Sequence, residues 1–422
     1  MQYPGIIKVG QSEKFPYLLA AVSLGLPFVL VYFYTKGMTQ GLDTIFFFDE
    51  AEYHYPVILQ FAKQLPFPDI SNYNSATTPL FHLLFAAFSK IFGEDIQHLR
   101  MFNFLITFLS VLLLFRLLTR QFNLPYTSAL ISASLFALSP YFFREAFVVM
   151  TDNLPVLWLL LFFQFYLKFK DDGVFTNYLY SLFFIMLLGL TRQTYLYILF
   201  PVGADLLMNK ALKLPRWTYM LLLSAAAVPT LSLFIIWKGL TPPQFQERHT
   251  EETLLNIKPI LYGIAVVGFY ALFIAGDKLY RSFLSLNKTK VIVAVLISWA
   301  LLFFFPLTKA KHDFGYLWYI ADELPSIHST PVFFYILVSI GVCVFMSIWQ
   351  LEKPPFFLLF FIGLFLSEVP NKYFFQRYYD SSILILLLFL DAKYDQPDRF
   401  QIIRKALLTI LFILYFIVFI IK

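Results

Sequence analysis

Apolar runs of near-membrane length recur along the whole chain, and they constrain the fold more than any single motif. A helix needs about 20 mostly apolar residues to cross the hydrocarbon core, with a range of roughly 17–25. The candidate stretches are 15–36, 99–119, 125–143, 153–169, 177–191, 193–209, 217–237, 259–275, 291–307, 330–350, 354–368, 374–391 and 405–421. The first reads as a retained span, without a cleavable signal peptide. With 59% hydrophobic and 14% charged residues, a water-soluble fold would expose too much apolar surface. That composition excludes soluble enzymes, disordered chains, disulfide scaffolds and nucleic-acid binders. It predicts an all-α polytopic membrane protein of about 12–14 transmembrane helices, forming one domain over residues 1–422. The shorter apolar piece 79–92 reads as a re-entrant or interfacial helix. Cys343 is the single cysteine, so no intramolecular disulfide forms.

Lys and Arg set the orientation. With the N-terminus inside and the runs alternating, the inner side holds 18 Lys and Arg against 9 acids, and the outer side 14 against 17. The basic excess is therefore a topology signal. The long first outer loop, 37–98, carries Asp43, Asp49, Glu50, Glu52, Asp69, Glu94 and Asp95. Further outer loops fall at 238–258 and 308–329, so chemistry is expected at the outer face.

Several clusters on that face carry candidate residues. In FFFDEAEYHYP, α-helical spacing from Asp49 would set Asp49 beside Glu52, or Glu50 beside His54. A partly desolvated carboxylate there suits a general base for a hydroxyl, although acids also favour a solvated first helical turn. In YNSATTPLFHLLF, Thr77 or Thr78 can cap a helix opened by Pro79. Arg144, Glu145 and Asp152 stand at the outer end of two adjoining runs, with Arg144 and Asp152 about 12 Å apart if the segment is helical. Arg192 and Gln193 interrupt two apolar runs. An arginine at that depth faces a polar cavity or a partner, and its fork matches phosphate. Arg248 and His249 in FQERHTEE, Lys309, Lys311 and His312 in KAKHDFGYLWYIADE, and Arg377 among tyrosines in EVPNKYFFQRYYD complete the set. No GxxxxGK[ST] loop, HExxH or Cys/His cluster is present.

The ordered pieces DEAEYHYP (49–56), ATTPLFHL (76–83), LRMFNFL (99–105), MTDNLP (150–155), TRQTYLYILF (191–200), ERHTEE (247–252), AKHDFGYLWYIAD (310–322) and FQRYYD (375–380) carry a resemblance. The chain resembles the GT-C superfamily of polyprenyl-phosphate-sugar glycosyltransferases. More narrowly, the order of motifs is similar to the dolichyl-phosphate-glucose alpha-1,2-glucosyltransferase family, which adds the terminal glucose of lipid-linked oligosaccharide. The resemblance implies a GT-C-like bundle whose first outer loop carries interfacial helices. It also implies an inverting transfer of a hexose, glucose by the family's pattern, to a glycan or lipid-linked acceptor. Asp49, Glu50 and Glu52 are the candidate bases, with Asp49 favoured as part of the DE pair. His54, Thr78, Arg144, Asp152, Arg192, Gln193, Arg248, His249, His312 and Arg377 are candidates for the donor phosphate and substrate.

The implied partners are a polyprenyl- or dolichyl-phosphate sugar, the acceptor and the lipid bilayer, with no nucleic acid. No cofactor is required; His312 and the acids leave a divalent metal open. A prokaryotic cytoplasmic membrane is the favoured location, or the endoplasmic reticulum in a eukaryote, with the site on the outer or lumenal side. A transporter or flippase for a lipid-linked or small polar substrate is the alternative. It should place ionisable groups near the bilayer midplane and show related halves. The charge split predicts that Asn74→Cys in intact cells reacts with a membrane-impermeant thiol reagent. Labelling only after permeabilisation would reverse the orientation.

Overall fold

The computed structural model describes residues 14–35, 45–209, 212–246, 256–308, 315–371, 375–394 and 398–421. Its helices are α1 (Lys14–Thr35), α2 (Ile45–Asp49), α3 (Tyr55–Gln64), α4 (Leu80–Phe92), α5 (Ile96–Arg120), α6 (Tyr126–Ala137), α7 (Pro140–Arg144), α8 (Asn153–Asp172), α9 (Phe175–Thr191), α10 (Leu199–Met208) and α11 (Arg216–Trp237). They continue as α12 (Lys258–Ile274), α13 (Asp277–Leu284), α14 (Lys288–Phe304), α15 (Tyr316–Asp322), α16 (Val332–Leu351), α17 (Phe356–Ser367), α18 (Gln376–Tyr394) and α19 (Arg399–Ile421). A two-residue hairpin, Ser326–Ile327 with Thr330–Pro331, precedes α16.

The protein is an all-α polytopic membrane protein. Among the described residues, four helices are long and apolar enough to cross a bilayer: Ile96–Arg120, Arg216–Trp237, Val332–Leu351 and Arg399–Val418. The number is up to six if each of two bent pairs is one span: Tyr126–Ala137 with Pro140–Phe147, at 69°, and Lys258–Ile274 with Asp277–Leu284, at 117°. Each of the other apolar runs in the sequence is helical, but shorter, interrupted or more charged. The run 193–209, for instance, breaks into a 3-10 turn, Gln193–Ile198, ahead of α10. Length and hydropathy do not by themselves assign these as spans. The piece 79–92 is the short helix α4, whose Phe81 and Phe85 are fully buried.

Local sequence sets the helix ends. Asp95 caps α5 by accepting from Gln97 N at 2.9 Å, and Asn287 caps α14 through Lys290 N. At Gly173, φ is +63°, a left-handed turn that ends α8 and takes a bond to the Phe169 carbonyl.

Ion pairs occupy both ends of the bundle. Asp152 and Lys170 lie at opposite ends of α8, about 27 Å apart at 1.5 Å per residue. One end carries Glu50–Arg100, Asp49–Arg377, Asp152–Arg192 and Glu145–Arg144. The other carries Asp205–Lys170, Glu352–Lys393 and Asp391–Lys405. Every one of these pairs joins residues that the charge pattern assigns to the same side.

Between the ends, α12 and α16 meet backbone to backbone. A Cβ on Gly268 would fall well inside contact distance of the Leu337 carbonyl oxygen, and one on Gly341 would do the same at Ile264 O. Small residues permit this approach, as in other membrane helix pairs. Backbone atoms cannot swing aside, so Gly268→Val should destabilise the fold by about 1–3 kcal/mol or more. Gly203→Ala, whose Cβ would meet Met220 and Leu223 at ordinary distances, is the control. Thermal unfolding in detergent, followed by the loss of monodisperse protein, should show a drop for the first substitution only.

Candidate active site

The first outer acids sit on a π-turn. Residues Glu50–His54 form it, closed by Tyr55 N–H donating to the Glu50 carbonyl. Pro56 follows and has no N–H with which to continue the α-helical ladder. The wider turn replaces the α-helical register assumed from sequence, so neither Asp49–Glu52 nor Glu50–His54 is a pair. Asp49 and His54 come together instead, and Asp49 is the strongest charge acting on His54.

Asp49 accepts from Arg377 Nη2 at 3.0 Å, with 31% and 18% of the two side chains exposed. Arg377 lies over the rings of Phe375, at 5.0 Å, and Tyr378, at 5.5 Å. Its Nε is buried with no hydrogen-bond partner among the described residues. Arg192 Nη1 donates to Asp152, and the guanidinium stands 4.4 Å over the other arginine's ring, Tyr378. Burial alone would raise the Asp152 carboxyl, but Arg192 and then Arg377 outweigh it and hold it below the usual carboxylate range. Asp49, Asp152, Arg192 and Arg377 all act on His54, so segments far apart in sequence build one charged cluster.

Gln193 supports that cluster from beside Arg192. Its Oε1 accepts from Thr78 N at 3.2 Å, and its Nε2 donates to the Ala76 carbonyl at 2.8 Å. Thr78 does not cap α4 as expected. Pro79 holds the N-cap position without a side-chain bond, and Thr78 Oγ1 donates to Gly189 O at 2.9 Å, tying the first outer loop to α9.

Other expected residues are placed elsewhere. Glu50 is 2% exposed and forms a forked ion pair with Arg100, while Val149 N donates to it at 2.6 Å. With both oxygens engaged it is a structural anchor, not a free base. Glu52 is exposed, and only its carbonyl is engaged, by Asn74. Arg144 pairs with adjacent Glu145, not with Asp152. The segment is not one helix: it stops at Arg144, passes through a 3-10 turn at Glu145–Phe147, and restarts only at Asn153. Arg248, His249 and His312 lie outside the described residues, as do Lys309 and Lys311. Sequence reasoning missed Arg100, His82 and Tyr378, although all three fall within quoted pieces; none interrupts an apolar run in the way Arg192 does. No group of three or more His, Cys, Asp or Glu converges to hold a metal among the described residues.

Residues 76–237 match the family model described as dolichyl-phosphate-mannose-protein mannosyltransferase. This stretch includes Thr78, Arg144, Asp152, Arg192 and Gln193 and leaves out Asp49, His54 and Arg377. No curated protein matches the chain. Among solved structures, ArnT from Cupriavidus metallidurans, crystallised with undecaprenyl phosphate, is similar at 14% identity and a TM-score of 0.44. The match covers 79% of this chain and 60% of that one.

The two neighbouring acids should separate experimentally. Glu50→Gln strands the buried Arg100 and should cost about 3–5 kcal/mol of stability. Asp49→Asn, with its side chain partly open, should leave stability within about 1 kcal/mol of the parent. Thermal denaturation of both proteins in the same detergent checks the contrast, and equal losses would contradict it.

Proposed function

We propose that this chain is a GT-C membrane glycosyltransferase that moves a hexose from a polyprenyl-phosphate donor to a hydroxyl of a glycan or lipid-linked acceptor. The observation that carries the reading is the meeting of Asp49–Arg377 and Asp152–Arg192 around His54. The family match over residues 76–237 and the ordered motifs from 49 to 380 support it. The motif order favours glucose as the sugar, while the matching family's description names mannose, so a donor panel must include both. The Lys and Arg distribution supports a site on the outer or lumenal side. A prokaryotic cytoplasmic membrane is the favoured setting.

The chemistry divides between the pairs. The acceptor oxygen bonds to the anomeric carbon as the bond from that carbon to the phosphate oxygen breaks. Asp49 takes the acceptor proton, and the polyprenyl phosphate leaves with the bonding electrons. This single displacement inverts the anomeric carbon. Asp49 suits the base role better than Asp152, which is 11% exposed against 31% and is held ionised and weakly basic by two arginines. Arg192 and Arg377 take the developing phosphate charge, and Arg377 Nε has no acceptor to give up among the described residues. Among the described residues, these ion pairs lie at helix ends and not in mid-span, so they do not favour transport.

The test is incubation of the purified protein in lipid with polyprenyl-phosphate glucose, mannose and other hexoses plus candidate acceptors, with product mass and linkage read directly. Asp49→Asn should keep donor binding and lose about 10²–10⁴-fold in transfer. Full turnover in Asp49→Asn removes Asp49 as the base. Arg192→Lys keeps the charge and loses the fork, so donor affinity should fall about tenfold or more. Unchanged affinity would return Arg192 to a purely structural pair.

A further inference from the structure

A second histidine stands directly behind His54. His54 Nδ1 lies 3.1 Å from His82 Nε2, and the ring centroids are 5.3 Å apart. The two rings differ in surroundings. His82 is fully buried, packed at steep angles against Phe61, Tyr73 and Phe81, and its Nδ1 has no hydrogen-bond partner among the described residues. His54 keeps 7% of its surface open. It is the ring that feels Asp49, Asp152, Arg377 and Arg192. Burial, ahead of these charges, pushes the His54 imidazole down to about 4, so both partners of the contact are neutral near pH 7.

Two neutral rings sharing one N···N contact hold one proton between them, and that choice sets the other nitrogens. If His54 Nδ1 carries the proton, His82 must keep an N–H at Nδ1, buried and unpartnered. His54 then keeps a bare lone pair at Nε2, the ring nitrogen that does not meet His82. If His82 Nε2 carries it, the orphan at His82 is a lone pair, and His54 presents Nε2–H. Orphaned buried N–H groups are the rarer of the two kinds in backbones. Among the charges acting on His54, the carboxylates Asp49 and Asp152 outrank Arg377 and Arg192, which favours an N–H at Nε2, the ring nitrogen that His82 leaves free. Both considerations select the second arrangement.

We propose that His82 is a positioning residue that donates Nε2–H to His54 Nδ1 and so holds His54 in the tautomer that offers Nε2–H to an oxygen of the bound sugar phosphate. This rests on the glycosyltransferase reading for the identity of the ligand, but the tautomer itself does not. His54 is then a neutral hydrogen-bond donor and not a base, which leaves proton removal to Asp49.

Nitrogen NMR on histidine-labelled protein in bilayers reads the tautomer directly. The chain has 6 histidines, and the His54 signals are assigned by their loss in His54→Gln. The expected result is a protonated Nε2 and a bare Nδ1 on His54. A protonated Nδ1 on His54 overturns the proposal. The functional arm compares two substitutions. His82→Gln keeps an N–H donor near the Nε2 position, while His82→Phe keeps the aromatic packing and loses the donor. His82→Phe should lower kcat about tenfold with donor KM changed less than about threefold, and His82→Gln should restore most of the rate. Equal losses in the two proteins would make His82 a packing residue and end the proposal. If the parent protein transfers no sugar from any donor, the glycosyltransferase reading fails, and the nitrogen shifts still decide the tautomer.

Discussion

Charge inside so apolar a bundle persists only when each ion meets its counter-ion, because an unpaired buried charge costs several kcal/mol. The Glu50–Arg100 pair shows how much geometry hangs on this. Arg100 belongs to the first turns of α5, Glu50 to the outer loop, and Val149 N, which also reaches Glu50, to the strand-like link before α8. One carboxylate thus ties three segments together. Asp49, next to it in sequence, is set opposite Arg377, engages it through one oxygen and stays partly open. On the glycosyltransferase reading, two adjacent acids divide between anchoring and chemistry, and burial separates them.

The π-turn performs the second step of the construction. Just ahead of Pro56 the backbone closes one residue wider at Tyr55, and His54 comes to the side of Asp49. An α-helical turn would have set a different residue there. Unusual helix geometry of this kind is often found at functional sites.

The membrane class and the helical positions were legible because apolar runs and charge asymmetry report directly on the bilayer. Arg192 and Arg377 were legible as candidates because arginine is conspicuous against such a background. What sequence left open was pairing. Arg144 and Asp152 stood too far apart along the segment to serve each other, and nothing local named their partners: Arg144 meets the adjacent Glu145, and Asp152 finds Arg192, 40 residues on. Thr78 looked like a cap, but Pro79 occupies that role and Thr78 bonds across to Gly189. His82 and Arg100 carried no local signal at all. Their roles come from what lies opposite them in the folded bundle, and spacing along a single segment cannot report that.

The Asp49–Arg377 and Asp152–Arg192 pairs also bear on how a reaction cycle would end. On the glycosyltransferase reading, the donor is a phosphodiester with one negative charge, and the departing lipid is a monophosphate whose second ionisation falls near neutrality. Two guanidiniums alone would grip that more highly charged product harder than the substrate and become trapped by it. On that reading, each arginine has a tethered aspartate at hand that can reclaim it without diffusing in from solution, Asp152 directly and Asp49 once it has passed the acceptor proton to solvent. The aspartates would then compete with the spent lipid phosphate and help expel it, which makes product inhibition a property of the pairs and not of either arginine alone.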